Sequence, residues 1–158
     1  MADKVLVLKL AEVTPILRDL IGKPVTAKDA PPIKAPEPFY SVASYEREDG
    51  TAGGLCAIDL PLAASLAAAL ILVPKGIADD CIRAKKLEEM LEDSLQEVFN
   101  VLGRCFNGPT SPRVILKWRG PPPLSAPHRA LFVGGSTRVT MDVAVPGYLA
   151  GKMLLVAN

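Results

Sequence analysis

The stretch GGLCAIDLPLAASLAAALILVP, residues 53–74, decides what kind of chain this is. Its inner part, LCAIDLPLAASLAAALILV, residues 55–73, is nineteen residues long, close to the length that spans a bilayer. Asp59 and Pro61 break that run. An Asp two residues before a Pro reads as a helix N-cap with proline in the first turn, where a missing N–H is harmless. The run therefore divides into a strand over 52–58 and a buried helix of about twelve residues, and no membrane span is expected.

Upstream, EDGTAGG (48–54) supplies a turn, and FYSVASYERE (39–48) has strand character. APPIKAPEP (30–38) is a proline-rich extended connection on the surface. Leu6, Leu10, Val13, Leu17 and Leu20/Ile21 recur at helical spacing over 5–21, with Pro15 near a helix start or a kink. Gly22 and Pro24 end that element.

Downstream, VPKG (73–76) interrupts the chain before one long helix predicted over roughly 79–106, which FNGPTSP (106–112) terminates. The remainder reads as four strands, RVILKWR (113–119), RALFVGG (129–135), TRVTMDVAV (137–145) and GKMLLVA (151–157). In the third, Val139, Met141, Val143 and Val145 alternate with polar residues, as in a half-buried strand. This order predicts an α+β fold, helices packed on a largely antiparallel sheet, with residues 1–158 forming a single domain.

Composition narrows the function. The chain carries a formal charge of +1, so no basic excess points to nucleic acid or to an anionic membrane surface. Aromatics, at 5%, are too few for a base-stacking platform. Cys56, Cys81 and Cys105 are odd in number and widely spaced, which fits buried reduced thiols rather than disulfides or a zinc site. MADKVLVLKLAEV lacks the features of a secretory signal, so a cytoplasmic location is expected.

The long helix has two faces. Leu87, Leu91, Ser94/Leu95, Val98, Val101/Leu102 and Cys105 form an apolar stripe that should pack on the sheet. At about 100° per residue, Glu89, Asp93, Glu97, Asn100 and Arg104 fall in a narrow band facing away. Most such bands are only solvated. However, solvated helix surfaces favour Glu, Lys, Gln and Arg, and Asn100 followed by Gly103 is locally unfavourable. Local inconsistency of this kind is concentrated at functional sites.

The spacing Asp93-x3-Glu97-x2-Asn100, followed after twenty-two residues by Pro123, resembles the [DS]-x3-E-x2-N-x22-P signature of the CheC/CheX/FliY phosphatases. The order of elements resembles that family from about residue 10 to 157, and the single motif copy is closest to the one-site CheX type. The resemblance implies a CheC/CheX-like two-layer domain that hydrolyses the aspartyl phosphate of a CheY-like response regulator. Asn100 would insert its amide to position the attacking water. Glu97 would pair with the regulator's active-site lysine, with Asp93 and Pro123 in supporting positions. Mg²⁺ would be held by the partner regulator, and this chain would bind no cofactor or metal of its own. A homodimer is implied as well. EVTPILRDLIG, in the first helix, lacks a Glu-x-x-Asn, so no second site is carried over.

An alternative is a non-catalytic adaptor of the same fold that docks a response regulator or motor component. Other candidate chemistry is sparse. His128 has no ligand-spaced partners and reads as an ordinary histidine at a strand start. GGST (134–137) lacks a P-loop lysine and reads as a strand-to-strand turn. The thiols have no activating surroundings. Trp118 is either an interface anchor or a partly buried strand residue.

Overall fold

In the computed structural model, which describes residues 10–33, 35–106, 113–135 and 137–157, the break at Asp59 is built as the sequence reads. The Asp59 carboxylate accepts the Leu62 N–H at 3.1 Å, and Pro61 lies in the first turn. Strand Ala52–Ile58 (β3) ends there and helix Leu60–Leu70 (α2) begins. Residues Leu62 to Ala69 are all buried, which is why this helix is apolar all round. Among the described residues no helix is long and apolar enough to cross a membrane.

The remaining elements, in chain order, are helix Leu10–Ile21 (α1), strands Thr26–Asp29 (β1) and Ser41–Arg47 (β2), then helices Lys75–Ala84 (α3) and Glu89–Leu102 (α4). A 3-10 turn over Gly103–Phe106 follows, then strand Val114–Gly120 (β4), helix Ala126–Gly134 (α5), and strands Thr137–Ala144 (β5) and Gly151–Ala157 (β6). The strands form one sheet in the order β1-β5-β6-β3-β2-β4, antiparallel at every pairing. The α+β architecture is as expected.

The sheet is buried on both faces. Ala43, Tyr45, Cys56, Ile58, Met141, Met153 and Leu155 join the core made with α1, α2, α3 and α4. Val42, Leu55, Ala57, Leu154 and Val156 point the other way, onto Phe132 of α5. Central strands covered on both sides read as continuous apolar runs, as AGGLCAI and KMLLVA do. Close packing fixes Gly54, whose missing Cβ leaves room for the Phe106 ring.

Four elements differ from the sequence reading. RALFVGG is not a strand but most of α5, entered through Ser125 and Pro127 and ended at Gly135. A short apolar run is ambiguous between helix and strand, and here the helix supplies a lid for the second face of the sheet. Gly134 closes α5 and Thr137 opens β5, so the turn expected over 134–137 does not join two strands, Ser136 lying outside the described residues; His128 lies on α5 rather than at a strand start. The long helix is two helices, because Lys85 adopts a left-handed conformation (φ 59°). The Lys86 N–H returns to the Cys81 carbonyl at 3.1 Å, closing α3 with the geometry that glycine usually supplies. Polar strand β1 was not anticipated; it pairs along β5 at the sheet edge. Pro15 lies inside α1. The segments expected over 5–9 and 107–112 fall outside the described residues.

Candidate functional site

Helix α4 is fixed by what lies beneath it. Leu91, Ser94, Leu95, Val98, Phe99 and Leu102 are buried, with Ser94 Oγ donating to the Ala67 carbonyl of α2 at 2.9 Å. From the sheet, buried Tyr45 donates its hydroxyl to the Phe99 carbonyl at 2.6 Å. Glu89 and Glu92 in the first turn complement the positive end of the helix dipole.

The opposite face is open. Asp93, Glu97 and Asn100 are all exposed, and among the described residues their side chains take no hydrogen bond or ion pair. Glu97 and Asn100 are one turn apart, with about 5–6 Å expected between Cβ atoms at this spacing. Gly103, the other local misfit of the sequence, has a packing reason. A Cβ there would come within 3.1 Å of the Tyr45 ring, and the helix tightens into a 3-10 turn at that residue. Asn100 has no such internal explanation.

Beside this face runs a polar cluster that the sequence reading did not single out. Arg119 reaches from β4 to α4. Its Nε donates to Gln96 Oε1 at 2.8 Å, and its Nη atoms donate to Glu92 Oε1 at 2.9 Å and to the Glu92 carbonyl at 3.3 Å. The guanidinium also lies 6.0 Å from the Phe99 ring centroid. Tyr40 donates its hydroxyl to Glu92 Oε2 and accepts the Leu87 N–H at 3.1 Å. Burial, and then the bond to Glu92, raise the Tyr40 pKa above the usual tyrosine range. A β-bulge explains why Arg119 faces α4. Trp118 pairs with Ser44 and Leu116 with Tyr45, leaving Lys117 as the extra residue. Leu116 and Arg119 thus both face the helices, while Trp118 packs on α5. Strict alternation through KWRG conceals that placement.

Pro123 is exposed and does not join the α4 face. It lines a separate groove of about 420 Å³ with Phe39, Tyr40, Lys85, Pro121 and Pro122. A smaller cleft of about 210 Å³, between Tyr40, Ser41, Glu92 and Arg119, shares Tyr40 and Pro121 with it. Trp118 is partly buried, its ring stacked on His128 at 4.7 Å between centroids. All three cysteines are buried and unbridged, and burial pushes the Cys56 thiol well above its usual range. Among the described residues no three His, Cys, Asp or Glu side chains cluster as a metal site.

No family model and no curated protein sequence matches the chain. Solved structures do. FliM from H. pylori, in its complex with SpeE, superposes with a TM-score of 0.62 over 94% of this chain and 80% of its own, at 8% identity. FliY from Thermotoga maritima gives 0.58 over 94% and 83%, at 14% identity. CheX from Borrelia burgdorferi, in a complex with CheY, BeF3 and Mg²⁺, gives 0.57 over 94% and 97%, again at 14% identity. The chain has the CheX/FliY/FliM fold. At these identities the likeness concerns the fold. Within the CheX/FliY/FliM fold of this chain, α4 is the helix that carries the Asp93-x3-Glu97-x2-Asn100 spacing, and it does so on its open face.

Proposed function

We propose that this chain is a CheX-type phosphatase that hydrolyses the aspartyl phosphate of a CheY-like response regulator, with the open face of α4 as its active surface. The observation that carries the reading is the state of Glu97 and Asn100: exposed, one turn apart and, among the described residues, free of internal partners. A phosphatase that completes its site on another protein needs such unengaged side chains. Acyl phosphate hydrolysis asks for a positioned water and neutralised charge more than for a strong nucleophile. Asn100 supplies an amide that can accept from and donate to a water held in line with the phosphorus. Glu97, an acceptor one turn earlier, pairs with the regulator's lysine and sets the angle of docking. The regulator's own carboxylates hold Mg²⁺. The protein acts in the cytoplasm as a homodimer, for which β4, at the edge of the described sheet and with Ile115 exposed, offers a surface.

The test is the lifetime of a phosphorylated CheY-like regulator with Mg²⁺ present. It should shorten on adding the protein, and Asn100→Ala or Glu97→Ala should abolish most of the gain. Equal acceleration by the double variant would falsify the assignment.

A second reading, a non-catalytic adaptor, is favoured by the structures of FliM bound to SpeE and to FliG. It expects the regulator or a motor component to be retained by this protein with no change in phosphate lifetime.

A further inference from the structure

We propose that Arg119 is the positioning residue of the α4 surface: it fixes the row of side chains that leads to Asn100 and so sets where the Asn100 amide is presented. This rests on the phosphatase reading above. Glu92, Gln96 and Asn100 succeed one another at four-residue steps, which on a helix is a single ridge. Arg119 bonds the first two members of that ridge and leaves the third free. Its three contacts on α4, to Gln96 Oε1, Glu92 Oε1 and the Glu92 carbonyl, come from one planar fork. A fork of this kind fixes rotation about the helix axis as well as distance, which a single hydrogen bond does not.

The anchor is built rather than incidental. The Arg119 side chain is 18% exposed and that of Glu92 30%, so the pair is largely withdrawn from water. Tyr40 holds the second carboxylate oxygen of Glu92, so Glu92 is gripped from both sides. The guanidinium comes from the strand next to β2, beyond the Lys117 bulge, and β2 is the strand whose Tyr45 holds the Phe99 carbonyl. Two adjacent strands thus hold α4, one just before the Glu97–Asn100 turn at Glu92 and Gln96 and one within it at Phe99. Catalysis by positioning is sensitive to such support, since a displacement near 1 Å can cost about 100-fold in rate.

The experiment is a graded series at Arg119, assayed on a CheY-like regulator phosphorylated by a small-molecule donor, with affinity measured on the same regulator loaded with BeF3 and Mg²⁺. Arg119→Met keeps the aliphatic stem and removes the fork; kcat should fall about 10-fold, with KM and the Kd for the loaded regulator changing less than about 3-fold. Arg119→Lys, which can replace only one contact, should recover part of the loss. A merely structural role would lower the denaturation midpoint and leave kcat per folded molecule intact. That outcome, or a kcat for Arg119→Met within about 2-fold of the parent, overturns the proposal. If Arg119→Met does not fold, Gln96→Ala, at an exposed helix position, takes its place. A fall in kcat of about 3-fold or more at unchanged KM supports the proposal, and an unchanged kcat overturns it. Absence of any acceleration by the unsubstituted protein sinks the phosphatase reading itself, and Arg119 positioning falls with it. Full activity with an indifferent Arg119 sinks only the positioning role.

Discussion

Two sets of polar side chains share the surface of α4, and they are treated in opposite ways. Glu92 and Gln96 are committed inside the molecule, to Arg119 and Tyr40. Asp93, Glu97 and Asn100, each a residue or a turn away, are committed to nothing among the described residues. The first set ties the helix to the sheet. The second is left over once the fold has taken what it needs. A polar helix face is informative when its neighbours show that partners were within reach and were spent elsewhere.

Substitutions at successive positions of one helix should therefore have very unequal effects. Phe99 is fully buried, its carbonyl held by Tyr45 and its ring under Arg119. Phe99→Ala should cost about 3–5 kcal/mol in chemical denaturation. A loss below about 1 kcal/mol would mean that α4 is not seated on the sheet as described. Next comes Glu92→Ala. It leaves a mostly buried Arg119 without its anion and Tyr40 without its acceptor, and should cost about 1–3 kcal/mol. If Glu92→Ala proved as silent as an exposed change, the contrast between the two sets would collapse.

The sequence made one of these sets visible and hid the other, for physical reasons. Asp93, Glu97 and Asn100 stood out through helical spacing and through an Asn that fits no surface preference, both local properties. The same holds for Asp59 and Pro61, whose capping chemistry is contained in three residues. The Arg119 cluster depends on a bulge at Lys117 and on pairing between β2 and β4, which lie some seventy residues apart in the chain. Nothing in KWRG announces which face Arg119 takes. The helical state of RALFVGG was hidden similarly, because it is settled by the need to cover Phe39, Val42 and Leu154 on the second face. The left-handed turn at Lys85 lacked the glycine that would have marked it. Pro123 was legible as part of a spacing and not as a place; it lies in a groove beside Tyr40, apart from the α4 face.

Smaller effects sharpen the contrast from the other side. Glu97→Ala should change stability by no more than about 0.5 kcal/mol. Asn100→Ala should be neutral or stabilising by up to about 0.7 kcal/mol, because alanine is the better helix former and no internal contact is lost. The same variants carry the largest expected losses in regulator dephosphorylation. Denaturation and activity measured on one preparation check both halves. A destabilised Asn100→Ala would show that the amide serves the fold and would remove its claim to be free.

The smallest effect concerns the proton on Tyr40. Burial first, and the bond to Glu92 second, raise its folded pKa above the ordinary value. The folded protein thus holds this proton more tightly than the unfolded chain does. The resulting stability is complete below about pH 10 and is lost as pH rises from there through the folded pKa. Tyr45, buried and raised in the same direction, adds to the decline. Tyr40→Phe cannot lose that proton and removes one of the two contributions. Its denaturation midpoint should start slightly below that of the parent near neutrality, where the bond to Glu92 is missing. It should then fall less steeply between about pH 9 and 11. Tyr45→Phe serves as the companion that loses the tie at Phe99 but leaves the bonds of Glu92 untouched. Parallel alkaline slopes for the parent and Tyr40→Phe would mean that folding does not raise the Tyr40 pKa and that this hydroxyl has no part in the alkaline decline.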